Sequence, residues 1–97
     1  MQRAWLERRL KDVQHRLDKA REELRILDEQ LAAISEDASE ARIKALVSET
    51  PMANREYVEA KRHADAAERS RLALLATISD LTTKRDELLD RLVVESK

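Results

Sequence analysis

The chain has 97 residues, enough for one domain; 40% are charged, and Gly and Phe are absent. A globule of wide layers needs glycine at its turns and aromatic bulk at its centre, whereas an apolar fraction made mostly of Leu and Ala suits long helices packed along narrow lines. A net charge of -1 argues against a generally basic nucleic-acid binder, and zero cysteines exclude disulfides, thiolate metal sites and thiol nucleophiles.

The first helix is predicted over residues 2–47. An apolar residue recurs along it in steps of 4 and 3, at Leu6, Leu10, Val13, Leu17, Ala20, Leu24, Leu27, Leu31, Ile34, Ala38 and Ala41. Such a heptad repeat is a coiled-coil seam, and a seam implies a partner. Trp5 and Ile26 fall off it. With Glu7 and Asp12 near its start, the N-terminus lacks a signal-peptide core, and no apolar run nears the ~20 residues that span a bilayer. A cytoplasmic location is therefore expected. Residues 1–25 carry eight Lys/Arg against five Asp/Glu, and residues 26–50 carry two against six, so the chain ends read basic and the middle acidic.

After Ile34 the seam weakens. Asp37 and Glu40 have the spacing of an N-terminal capping box, and the apolar positions shift to Ile43, Leu46 and Val47. Either the helix carries a stutter or it breaks near residues 35–38; with neither Gly nor Pro to force a break, a continuous or slightly kinked helix is the preferred expectation.

The strong stop is Ser48-Glu49-Thr50-Pro51, predicted as the turn. Thr50 is suited to capping a helix, and Pro51 to the first helical position, where its missing N–H costs nothing. The turn lies near the midpoint, leaving two arms of nearly equal length.

The second helix is predicted over residues 52–95, with its seam at Tyr57, Ala60, Ala64, Ala67, Arg71, Leu74, Ile78, Leu81, Arg85, Leu88 and Leu92. If the chain folds back at the turn, facing residues have numbers adding to about 99. Leu31 and Ile34 then oppose Ala67 and Ala64, large against small, and Ala20 opposes Ile78. Asp28 comes across from Arg71 as a register-setting pair, and Arg85 comes near Gln14. The expected fold is all-α: a single domain over residues 1–97 forming a long antiparallel two-helix coiled-coil hairpin, about 65–70 Å long at the α-helical rise.

Apolar residues are left over. Leu72, Leu75, Leu89 and Val93 flank the second seam and widen its apolar arc to about 140°, more than one neighbour needs. With Trp5 they form an expected dimer interface, closing two hairpins into a four-helix bundle. Ile43, Leu46, Val47, Met52, Tyr57 and Val58 give the bend more apolar surface than a plain turn needs, suited to gripping a partner or to packing on itself.

Chemistry is sparse. His15 and His63 are the two histidines; Asp12 precedes the first by three residues and Glu59 the second by four, and neither spacing has a matching copy. No nucleophile–base set, phosphate loop or paired carboxylates can be assembled, so no enzyme, cofactor, metal or small-molecule substrate is expected. The basic residues Arg3, Arg8, Arg9, Lys11 and Arg16 are spread around the helix and interrupted by acids, which weighs against nucleic acid and, even with Trp5 beside them, against a membrane. The expected role is a non-enzymatic interaction module (scaffold, adaptor or regulatory subunit), its partners a second copy and another protein. The acidic residues Glu36, Asp37, Glu40 and Glu49 near the bend give an alternative. An acid-tipped helical hairpin resembles, in shape and charge, the bacterial transcript-cleavage factors that enter RNA polymerase. That resemblance implies a regulator of the transcription machinery; separately, the basic N-terminal turns would suit a nucleic-acid-associated protein.

Overall fold

The computed structural model describes residues 2–96. Two helices, α1 (Gln2–Ser48) and α2 (Pro51–Glu95), form a long antiparallel hairpin, with no strand among the described residues. The connection is shorter than the expected 48–51, only Glu49 and Thr50 lying outside the helices.

Local chemistry makes so short a link possible. Glu49 adopts φ 53°, in the left-handed region, and its N–H donates to the Ala45 carbonyl at 3.1 Å, closing α1. With no glycine available, a side chain bears the ~1–2 kcal/mol that this conformation costs an L-residue. Thr50 then caps α2: its Oγ1 accepts from the Ala53 N–H at 3.1 Å, and its carbonyl accepts the first helical bond, from Asn54, also at 3.1 Å. A threonine cap of this kind is worth about 1 kcal/mol. Pro51 occupies the first helical position, as its missing donor favours.

The chain divides into two units. The terminal unit comprises Met1–Leu24 and Leu74–Lys97, and the turn unit Arg25–Ala73. In the terminal unit Leu6, Val13 and Leu88 form the buried cluster, with Leu10, Leu81 and Leu92 packed against it, and Leu17 is completely buried. Arg3 donates to Ser96 Oγ at 3.0 Å across the two arms. In the turn unit Asp28 meets Arg71 at 2.8 Å and Lys44 meets Glu56 at 3.2 Å. Each of these pairs obeys the expected register, numbers adding to about 99, within its own unit.

Every buried residue lies on the seam: Leu6, Val13, Leu17, Ala20, Ala53, Ala67 and Leu88. Ala53 precedes Tyr57 by one more step of four and extends the seam to the turn. Its register partner is Ala45, four residues beyond Ala41. Small side chains belong there, because a two-residue link holds the helix axes close and leaves no room for leucine.

The preferred expectation of a continuous α1 holds, with no break near residues 35–38; the expected change of phase does not. Ala38, Ala41 and Ala45 continue the seam and are half-buried, while Ile43, Leu46 and Val47 are turned outward. Helical phase outranks side-chain bulk here: once the upstream leucines fix the rotation of α1, positions 43, 46 and 47 lie on the outer side whatever occupies them. Asp37 and Glu40 cap nothing in a continuous helix.

The charged seam positions behave differently from each other. Arg71 bridges the arms to Asp28. Arg85 turns to its neighbour Asp86, 3.2 Å away, while Gln14 donates to Asp18 at 2.8 Å; neither makes the expected cross-arm contact. In register Arg85 stands across from the buried Val13, a position where an arginine stem can lie along apolar surface while its guanidinium reaches water.

Candidate interaction surfaces

The turn unit carries the clearest candidate. Ile43, Leu46 and Val47 are 63%, 67% and 79% exposed, and they sit at i, i+3 and i+4 on the side of α1 away from the seam. Met52 and Val58 on α2 are also exposed, at 64% and 44%. Tyr57 is different: it is half-buried, a seam residue facing Ala41 in register. Five of the six bend residues are thus exposed, Val58 the least of them.

The residues of the expected dimer interface fall into separate groups. In the terminal unit Leu75 is half-buried and Leu89 and Val93 are exposed, all on one flank of the Leu88–Leu92 line. Trp5 is brought to Arg91, whose guanidinium carbon lies 5.5 Å from the ring centroid. Arg91 precedes Leu92 by one residue while Leu89 follows Leu88 by one, which places them on opposite flanks of that line. Trp5 therefore packs on the flank away from Leu89 and Val93. Beside it lies a shallow hollow of about 280 Å³ lined by Asp90, Arg91, Val94 and Glu95. Leu72 belongs to the turn unit, where it is exposed.

The register pair is well formed. Asp28 Oδ1 accepts from Arg71 Nε at 2.8 Å, with side chains 46% and 33% exposed. The hydrogen bond that Arg71 donates to Asp28, then the charge of Asp28, push Arg71 above its ordinary value against the opposing effect of burial, so the guanidinium stays charged at any working pH. The pair joins the two arms within the turn unit. Leu27 lies in the same layer, and slipping the arms by one turn would separate the two charges.

No family model, no curated protein and no solved structure matches this chain. Its surfaces therefore carry the functional reading alone.

The remaining candidates are weak in geometry. His15 and His63 are both exposed. Asp12 turns to Arg16 at 3.4 Å and Glu59 to Arg62 at 3.5 Å, so neither acid serves the histidine it precedes. Glu36, Asp37, Glu40 and Glu49 are all exposed, and the described residues hold no group of three or more His, Cys, Asp or Glu placed to bind a metal ion. A groove of about 380 Å³ in the terminal unit is lined by Arg16, Lys19, Ala20, Glu23, Leu74, Thr77 and Leu81, where the small Ala20 leaves space beside larger neighbours. No helix among the described residues is long and apolar enough to cross a membrane.

Proposed function

We propose that this chain is a non-enzymatic, cytoplasmic coiled-coil interaction module, a scaffold, adaptor or regulatory subunit, that grips another protein with the outer apolar face beside its turn. The observation that carries this reading is the placement of Ile43, Leu46 and Val47. The sequence puts alanine in the seam at positions 38, 41 and 45 and places its branched bulk outside, where it adds nothing to the hairpin. Apolar anchors at i, i+3 and i+4 on one helix face are the pattern by which a helix is read in a groove. The measurement is affinity capture from the native cell with wild type and Leu46→Glu/Val47→Glu side by side. The wild type is expected to retain a protein that the variant loses while keeping its helical circular dichroism. Identical sets of retained proteins would remove the turn face as the binding surface.

A second surface, the flank of α2 bearing Leu75, Leu89 and Val93, with Leu72 on the same helix, supports homodimerisation into a four-helix bundle. Leu75→Glu with Leu89→Glu is expected to yield a helical monomer by light scattering at high ionic strength, because each carboxylate would be desolvated without a partner. An unchanged mass would dispose of that interface.

A further inference from the structure

In the turn unit, the charges farthest from the seam are sorted by sign. On α1 the outermost positions hold Glu29, Glu36 and Ile43 at heptad spacing, two acids and one apolar residue; on α2 they hold Arg55, Arg62 and Arg69, again at heptad spacing. All six side chains are exposed. Charge pairs that stabilise a single helix mix signs at i, i+4, as Arg25–Glu29 and Lys61–Asp65 do here. A heptad stripe of one sign does nothing for its own helix. Glu36, Arg55 and Arg69 enter no ion pair among the described residues. Glu29 bonds Arg25 at 2.8 Å and Arg62 bonds Glu59 at 3.5 Å, exposed local pairs of the kind that exchange at little cost.

The register of the unit sets these residues at matching heights. With Asp28 across from Arg71 and Lys44 across from Glu56, Glu36 is level with Arg62 and Glu29 is level with Arg69. A second hairpin set alongside by simple translation therefore brings both acid–base pairs together at once. The same displacement sets Val47 beside Met52, two of the most exposed apolar side chains. It also sets Glu40 beside Glu59, one like-charged meeting, with Arg62 a turn away. In the terminal unit, taken by itself, Arg8 on α1 and Asp90 on α2 occupy the outer positions at equal height, again with opposite sign.

We propose that copies of this chain associate side by side, the acidic back of α1 in one copy lying on the basic back of α2 in the next. The two surfaces differ, so the contact is heterologous. Each added copy leaves one unused surface at either end, and growth does not stop at two. The attraction is carried by exposed charges and is screened by salt.

Sedimentation velocity over a range of protein concentrations tests this. At low ionic strength the wild type is expected to form species larger than a dimer, which high salt disperses. Glu29→Lys/Glu36→Lys and Arg62→Glu/Arg69→Glu are each expected to form nothing larger than a dimer, their side-by-side association weakened at least roughly tenfold, with helical circular dichroism unchanged. An equimolar mixture of the two variants is expected to reassemble, because each offers the surface that the other has lost. The proposal is overturned by a wild type that goes no further than a dimer at low salt, or by a variant that assembles as the wild type does. A mixture that grows no larger than either variant alone overturns it too. So does assembly that stops at a salt-insensitive dimer abolished by Leu75→Glu/Leu89→Glu, which would place self-association on the apolar flank of α2 instead.

Discussion

Leu17→Ala is expected to lower the unfolding free energy by about 3 kcal/mol, read from urea denaturation followed by circular dichroism at 222 nm. Leu17 has no exposed surface, and its register partner Leu81 is half-buried, so the lost methyl groups were fully removed from water. Leucine truncations at such sites combine a transfer loss with the cost of a cavity that the neighbours fill only in part. Small domains hold together by about 5–15 kcal/mol, so this one change removes a large share of the total. The control is Ile26→Ala. Ile26 is 42% exposed on the outer side of the same helix, and its truncation is expected to change stability by less than about 0.5 kcal/mol. Equal losses at the two positions would mean that the seam does not face the second arm.

That contrast shows what kind of information the sequence carries. The seam of a long helix is written redundantly. Leu10, Leu17, Leu24 and Leu31 fix the rotation of α1, and Leu74, Leu81, Leu88 and Leu92 fix that of α2, so no single residue has to be interpreted alone. Thr50-Pro51 marks the fold-back for an equally local reason, since one residue caps and the other lacks the donor a helix interior would need. Near the turn the signal inverts. Alanine is a poor marker of burial because it is common on helix surfaces too, and Ile43, Leu46 and Val47 draw the eye outward from the true seam of Ala38, Ala41 and Ala45. Counting on by the same 4–3 step from either side would have reached both Ala45 and Ala53. Hydrophobicity pulled the reading away from a phase already fixed.

The interaction surfaces were less legible, for a related reason. A residue off the seam can point to any direction left over, and only the hairpin geometry divides those directions into flanks and backs. Trp5 illustrates this. Its closeness to the chain end suggested the company of Leu89 and Val93, yet its position one step before Leu6 carries it to the Arg91 side. Asp28 and Arg71 were legible because both lie within a residue of the seam, where the fold-back rule alone predicts the distance between them. Arg85 satisfies the same rule but has an acid next to it in sequence. Asp86 is within reach without any ordering of the opposite arm, and Gln14, a neutral partner, does not compete.

Ala67→Leu is expected to destabilise the hairpin by about 1–3 kcal/mol, because Ala67 is only 8% exposed and faces Leu31 in register. Leu31→Ala alone is expected to cost about 2 kcal/mol, near the low end for leucine truncation, since Leu31 is only half-buried. The informative species is the double variant, which exchanges large for small across one layer and restores its volume. It is expected to recover at least about 1 kcal/mol relative to the sum of the single losses, a coupling that residues without a shared contact do not show. The same exchange made out of register, Leu31→Ala with Ala60→Leu, pairs positions a full heptad apart and is expected to be additive. Additivity in both pairs, measured by equilibrium denaturation of all the variants, would mean that Leu31 and Ala67 do not share a layer. The heights that bring Glu36 level with Arg62 would then fail with it, since both follow from one alignment of the two arms.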